Sequence, residues 1–202
     1  MSIRVRVAIL VFLFCLSGCQ GTGQIKTVQS GYYESAMPLY LSFDSTHHLI
    51  TGYIEIHSDE PKDKFVCQLY FTGKIIPGDK IPIIFHQYSI DTTKSYTGWM
   101  LINSATEVTI KSDELLMPCS NLIDISNGEE VELKETRPYT KIAILKVSKQ
   151  NLFKAPDKGS QLKSYVIQND PLGIIKEEGE WLLIRYLRNE KIEAWLPKTS
   201  IW

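Results

Sequence analysis

Between Gly31 and about Leu133, apolar and polar positions alternate in short bursts broken by turn residues. Leu39, Leu41 and Phe43 alternate with Tyr40 and Ser42, and the polar stretch 44–48 leads into Leu49–His57, the pattern of a hairpin. A charged loop follows at 58–64. Beyond it Phe65, Cys67, Leu69 and Phe71 share one face of a strand, so Cys67 points inward. Pro77-Gly78-Asp79 marks a turn, and further strands are predicted at 81–85, 98–102 and 108–111. No segment holds a helical period over a dozen residues. Short strands at roughly 8–12-residue spacing predict an antiparallel barrel or sandwich and disfavour alternating strand and helix units. The acidic, turn-rich piece 127–138 reads as a linker, or as a last strand plus linker. Residues 139–202 have a different rhythm. There Leu182, Ile184 and Tyr186 share one strand face while Trp181, Leu183 and Arg185 share the other.

Composition agrees with two folded, all-β units. A chain of 202 residues that is 44% hydrophobic and 22% charged buries a core, which excludes disordered and low-complexity classes. A formal net charge of -1 offers no cationic surplus for phosphates, so nucleic acid is not expected as a partner. Four cysteines are too few for a disulfide-dense scaffold.

The N-terminus adds an address. Arg4 and Arg6 precede the unbroken apolar run 7–16, the layout of a secretory signal. The run falls well short of the about 20 apolar residues that a spanning helix needs. It ends in Leu16-Ser17-Gly18-Cys19, which resembles the lipobox of bacterial lipoproteins. That resemblance implies a signal peptide at 1–18 and a lipid on Cys19. Acyl chains on one residue then anchor the protein to a membrane without spanning it. Gln20 after the cysteine implies, by the same resemblance, an outer-membrane lipoprotein facing the periplasm. Residues 19–30, rich in Gly, Gln and Thr, read as a flexible tether, and the first β-domain as 31–134.

Export leaves Cys67 and Cys119. In an oxidising compartment the expectation is a disulfide between them; two free buried thiols, or metal or redox chemistry, are the alternatives. Neither belongs to a C-x-x-C.

In the last third, Lys141-Ile142-Ala143-Ile144-Leu145-Lys146-Val147 is followed by Leu152-Phe153-Lys154-Ala155-Pro156-Asp157-Lys158-Gly159 and Tyr165-Val166-Ile167-Gln168-Asn169-Asp170. Then come Gly179-Glu180-Trp181-Leu182-Leu183-Ile184-Arg185-Tyr186, Ala194-Trp195-Leu196 and Ile201. This order of elements resembles the bacterial SH3-like domain, here 139–202, with departures at the 153–156 turn and at Ala194. The resemblance implies a small β-barrel of five or six strands that binds peptides or protein partners.

Catalytic words are absent: no G-x-S-x-G, no P-loop, no G-x-G-x-x-G and no H-E-x-x-H. His47, His48, His57 and His86 show no metal-ligand spacing and read as solvated surface. Glu177, Glu178 and Glu180 crowd a turn, where carboxylates are normally solvated. The lead is aromatic. Trp181, Tyr186 and Trp195, with Arg185 beside them, and Trp99 in the first domain, can stack on sugars or peptide side chains. No enzyme activity, cofactor or metal is expected. The sequence points to a lipid-anchored, non-catalytic envelope protein that binds peptidoglycan peptide or a periplasmic protein. The alternative is an immunity or inhibitor lipoprotein that blocks a periplasmic toxin or cell-wall hydrolase.

Overall fold

The computed structural model describes residues 25–58, 66–88, 93–117 and 119–202, so the expected signal peptide at 1–18 and the expected lipid site Cys19 lie outside the described residues. The first eight strands are β1 (Gly31–Glu34), β2 (Pro38–Asp44), β3 (Leu49–His57), β4 (Val66–Lys74), β5 (Lys80–Tyr88), β6 (Thr93–Ser104), β7 (Glu107–Ser112) and β8 (Glu129–Thr136). Each pairs antiparallel with the next, and β8 returns to β1. The alternatives of barrel and sandwich are thus resolved as a closed eight-stranded barrel. Closure comes from the acidic stretch whose sequence reads partly as linker. There Val131 packs into the core and Leu133 against it, while Glu130, Lys134 and Glu135 stay exposed. Closing the sheet satisfies edge hydrogen bonds that would otherwise be left open.

Tyr33, Phe71 and Phe85 are fully buried in the barrel's core cluster. A glycine makes the room: a Cβ on Gly52 would lie 2.2 Å from Cζ of Phe71. One end of the barrel is covered by the β7–β8 connection, which brings Leu116, Cys119 and Ile125 into the core. The expected disulfide is present. Cys67 near the start of β4 is bonded to Cys119 in a 3-10 turn of that connection, with Cα atoms 5.3 Å apart.

Residues 25–30 correct the expected extent of the tether. Ile25 pairs with Gly78, Val28 is buried in the core, and the Gln29 N–H donates to the Ala105 carbonyl at 2.9 Å. Ile25 and Val28 fasten the segment by apolar burial, and the Lys26–Asp79 ion pair at 3.2 Å and the Phe43 N–H donating to Ser30 Oγ at 2.9 Å add polar contacts.

The second unit contains β9 (Lys141–Ile144), β10 (Lys149–Phe153), β11 (Gln161–Ile167), β12 (Pro171–Glu178), β13 (Trp181–Tyr186) and β14 (Glu193–Pro197). They form a six-stranded antiparallel sheet in the order β11-β10-β14-β13-β12-β9. A bridge between Leu145 and Ile201 ties the chain after β9 to the chain after β14. Its core is aliphatic, built from residues such as Leu145, Leu172, Ile184 and Leu196. Among the described residues no helix is long and apolar enough to cross a membrane.

The two units dock. Tyr53 and Tyr70 on the barrel's outer wall pack with Tyr139, Ile142, Ile144 and Leu187. Ser42 and Thr51, each 1% exposed, supply the polar pairing of this seam. The Ser42 hydroxyl donates to the Tyr139 carbonyl at 3.0 Å, and the Ile142 N–H donates to Oγ1 of Thr51 at 2.7 Å. At the margin the Arg188 guanidinium donates to Glu55 at 2.9 Å and to Asp170 at 2.8 Å.

Candidate functional site

Register across the six-stranded sheet explains what its outer face does. Ile142, Gly173, Arg185 and Glu193 lie in one row across β9, β12, β13 and β14. At the β9 end Ile142 is buried against the barrel. Gly173 is obligatory there, since a Cβ would fall 2.4 Å from the Tyr139 ring. Further along β13 and β14 the same face bears Trp181, opposite Pro197, and Leu183, opposite Trp195. One half of the face is therefore docked and the other half is open.

The open half is aromatic. Trp181 meets Phe153 edge to face, with ring centroids 4.9 Å apart, and Phe153 sits across the strand pair from Trp195. Both tryptophans are half-buried. Such rings expose a flat apolar surface while neighbours fix their orientation, so little side-chain entropy is lost when a ligand stacks on them. Lys176 holds its ammonium 5.8 Å from the Trp195 ring, and at the border with the seam Arg185 donates to Glu193 at 3.0 Å. Burial works against the Arg185 charge, yet Glu193 and the nearby Tyr139 hold its pKa above the ordinary value.

Three of the four residues expected to form a ligand face thus share one surface: Trp181, Arg185 and Trp195. Tyr186 does not. It packs against the aliphatic core, and its hydroxyl donates to Asp170 at 3.2 Å; burial raises its pKa, with the Asp170 charge adding to the shift. Strand alternation puts Tyr186 with Leu182 and Ile184, on the opposite side from Trp181. Trp99 lies on the barrel wall, where Lys80 and Lys111 cover its ring at 4.6 and 5.7 Å.

The remaining candidates are dispersed. His47 is hydrogen-bonded to Asp44 at 2.6 Å, His57 to Glu55 at 2.9 Å and His86 to Ser95 at 3.0 Å. Burial lowers the His86 pKa. Glu177 is ion-paired with Lys198 and Glu178 with Lys176. Among the described residues no three His, Cys, Asp or Glu side chains converge as metal ligands.

Sequence reasoning missed Phe153 as the buried ring that supports Trp181 and the barrel tyrosines Tyr40, Tyr53 and Tyr70 as a docking wall. The signal for the tyrosines was present: Tyr40 and Tyr53 sit at outward positions of their strands, where apolar bulk needs a cover. Phe153 carried no such signal, because it lay at a strand end next to a turn. No family model, no curated protein and no solved structure matches this chain.

Proposed function

We infer that the protein is a lipid-anchored, non-catalytic binding protein of the cell envelope. Its ligand is an extended peptide, from peptidoglycan or from a periplasmic protein, laid across Trp181 and Trp195. One observation carries this reading: the face of the six-stranded sheet is covered by the barrel up to Arg185 and left aromatic and open beyond it. Surfaces that join aromatic rings to a few fixed charges concentrate binding energy in few residues. Arg185 and Lys176 border the rings as ion pairs with Glu193 and Glu178, which offers both donors and acceptors to the polar backbone of such a peptide. The barrel would serve as a rigid support, and the acylated Cys19 of the lipobox reading would hold the assembly at the membrane.

The test is retention of the mature protein's partners. Purified cell wall and periplasmic extract are each offered to the wild-type chain and to the double variant Trp181→Ala/Trp195→Ala. The expected result is retention of one of the two by wild type and a loss of about tenfold or more in the variant. Capture of a secreted hydrolase in fixed stoichiometry would move the function to the inhibitor reading. If the variant keeps every partner, the aromatic face is not the site.

A further inference from the structure

Strand alternation turns Ile81, Ile83 and Phe85 of β5 into the barrel core and leaves Lys80, Pro82 and Ile84 exposed on the outer wall. Register sets Trp99 of β6 beside Pro82, and Lys111 of β7 beside Trp99. The Lys80 and Lys111 ammonium groups lie over the Trp99 ring, and among the described residues neither meets a carboxylate. Ile84 is 46% exposed, and in the turn between β4 and β5 Ile76 is 39% exposed. Apolar side chains, an indole and uncompensated positive charge thus share one stretch of wall. Negative charge lies to either side of it. Asp79 in the turn is taken by Lys26 at 3.2 Å, and the acidic side chains begin at Glu107 and continue with Glu130 and Glu132 on β8.

The chain that enters the barrel fixes where this wall is held. Ile25 pairs with Gly78, in the same turn as Ile76. The lipoprotein reading, on which the orientation depends, leaves residues 20–24 between Cys19 and Ile25, a span of at most about 20 Å. The β4–β5 turn, with Lys80 directly after it, is then tied close to the membrane. The second unit does not stand in the way. It is fastened through Ser42 of β2 and Thr51 of β3, four strands around the eight-stranded barrel from β6 and β7.

We propose that the β5–β7 wall is a docking surface for an anionic lipid bilayer, with Lys80 and Lys111 against the head groups and Ile76, Ile84 and Trp99 at the edge of the acyl layer. Net charge does not supply this attraction: residues 20–202 keep all 23 acidic side chains but lose Arg4 and Arg6 from the 22 basic ones. The attraction is local to the wall. With the wall turned to the membrane, the second unit lies on the far side of the barrel and Trp181 and Trp195 stay accessible.

Residues 20–202, which contain every described residue, test the wall without the anchor. At millimolar lipid the chain is expected to sediment with vesicles of phosphatidylglycerol and phosphatidylcholine in equal parts, and little with phosphatidylcholine alone. Salt raised to about 0.5 M should release it. Lys80→Gln/Lys111→Gln should lower binding to the anionic vesicles about tenfold, and Ile76→Ser/Ile84→Ser about threefold. Lys163→Gln/Lys191→Gln removes the same charge from exposed positions of the second unit and should change binding less than about twofold. Absence of binding to anionic vesicles overturns the proposal, and so does an equal loss in the two lysine pairs. Retention of an acidic protein through Lys80 and Lys111 without vesicle binding overturns it as well, in favour of a protein partner. Acylation is read separately, by mass spectrometry of the mature chain: an unmodified Cys19 would overturn the anchor, while vesicle binding by residues 20–202 would still support the wall.

Discussion

The barrel and the six-stranded sheet place their aromatic residues on opposite sides of the same kind of β-wall. In the barrel, Tyr33, Phe71 and Phe85 fill the interior, and the outward tyrosines Tyr53 and Tyr70 are covered by the second unit. In the smaller sheet the interior is aliphatic, and Trp181 and Trp195 stand on the outside. Strand number accounts for part of this contrast: eight strands enclose enough width for rings if glycines such as Gly52 stand opposite, whereas a smaller sheet closes over Leu, Ile and Ala. An aromatic side chain inside the wide barrel is therefore accounted for by packing. An outward one needs a cover, and the tyrosines have theirs in the second unit while the tryptophans do not.

The contrast can be broken by stability measurements. Phe71→Ala should cost about 3–5 kcal/mol by chemical denaturation, because it removes a fully buried ring and leaves a cavity. Trp181→Ala should cost no more than about 1 kcal/mol if its ring serves a partner before it serves the core. Equal losses at the two positions would mean that both rings are packing residues.

A smaller effect sharpens the contrast at the seam. Thr51→Val keeps the shape of a side chain that is 1% exposed but leaves the Ile142 N–H without its acceptor, so a loss of about 1–3 kcal/mol is expected. A variant as stable as wild type would show that the docked half of the sheet does not depend on this bond.

The smallest effect concerns Asp44 at the end of β2. Burial works to raise its pKa, but the hydrogen bonds from His47 and Thr46 outweigh it and hold the carboxyl below its usual value. A depressed folded-state pKa contributes stability above the unfolded-state value, and that contribution is lost as pH falls through the folded-state one. Asp44→Asn should accordingly melt slightly below wild type at neutral pH and coincide with it once the pH lies below the depressed value. A difference in melting temperature that persists in strong acid would contradict this account.

Much of the strand pattern was legible because period-two alternation reports directly on which side a residue faces. That alternation alone is enough to turn Cys67 inward and to separate Trp181 from Ile184. Barrel closure was not legible, since it depends on β8 meeting β1 across about a hundred residues, and β8 hides Val131 and Leu133 among glutamates. Ile25 and Val28 were masked in the same way by polar neighbours. The meeting of the β2–β3 hairpin with the second unit left no local trace at all: Phe43, Lys141 and Trp202 are brought together only by tertiary folding, and no spacing rule spans such separations.

Both polar contacts that Ser42 and Thr51 make in the seam end on main-chain atoms of residues 139 and 142. At these two contacts the barrel hydroxyls read the peptide backbone of the second unit, while the Arg188–Glu55 pair at the margin adds side-chain recognition. The hydroxyls can be lost by a single substitution to many residues, whereas the Tyr139 carbonyl survives any substitution and the Ile142 N–H any but proline. Inheritance of this two-body architecture is consequently more exposed to change at positions 42 and 51 than at the residues they hold.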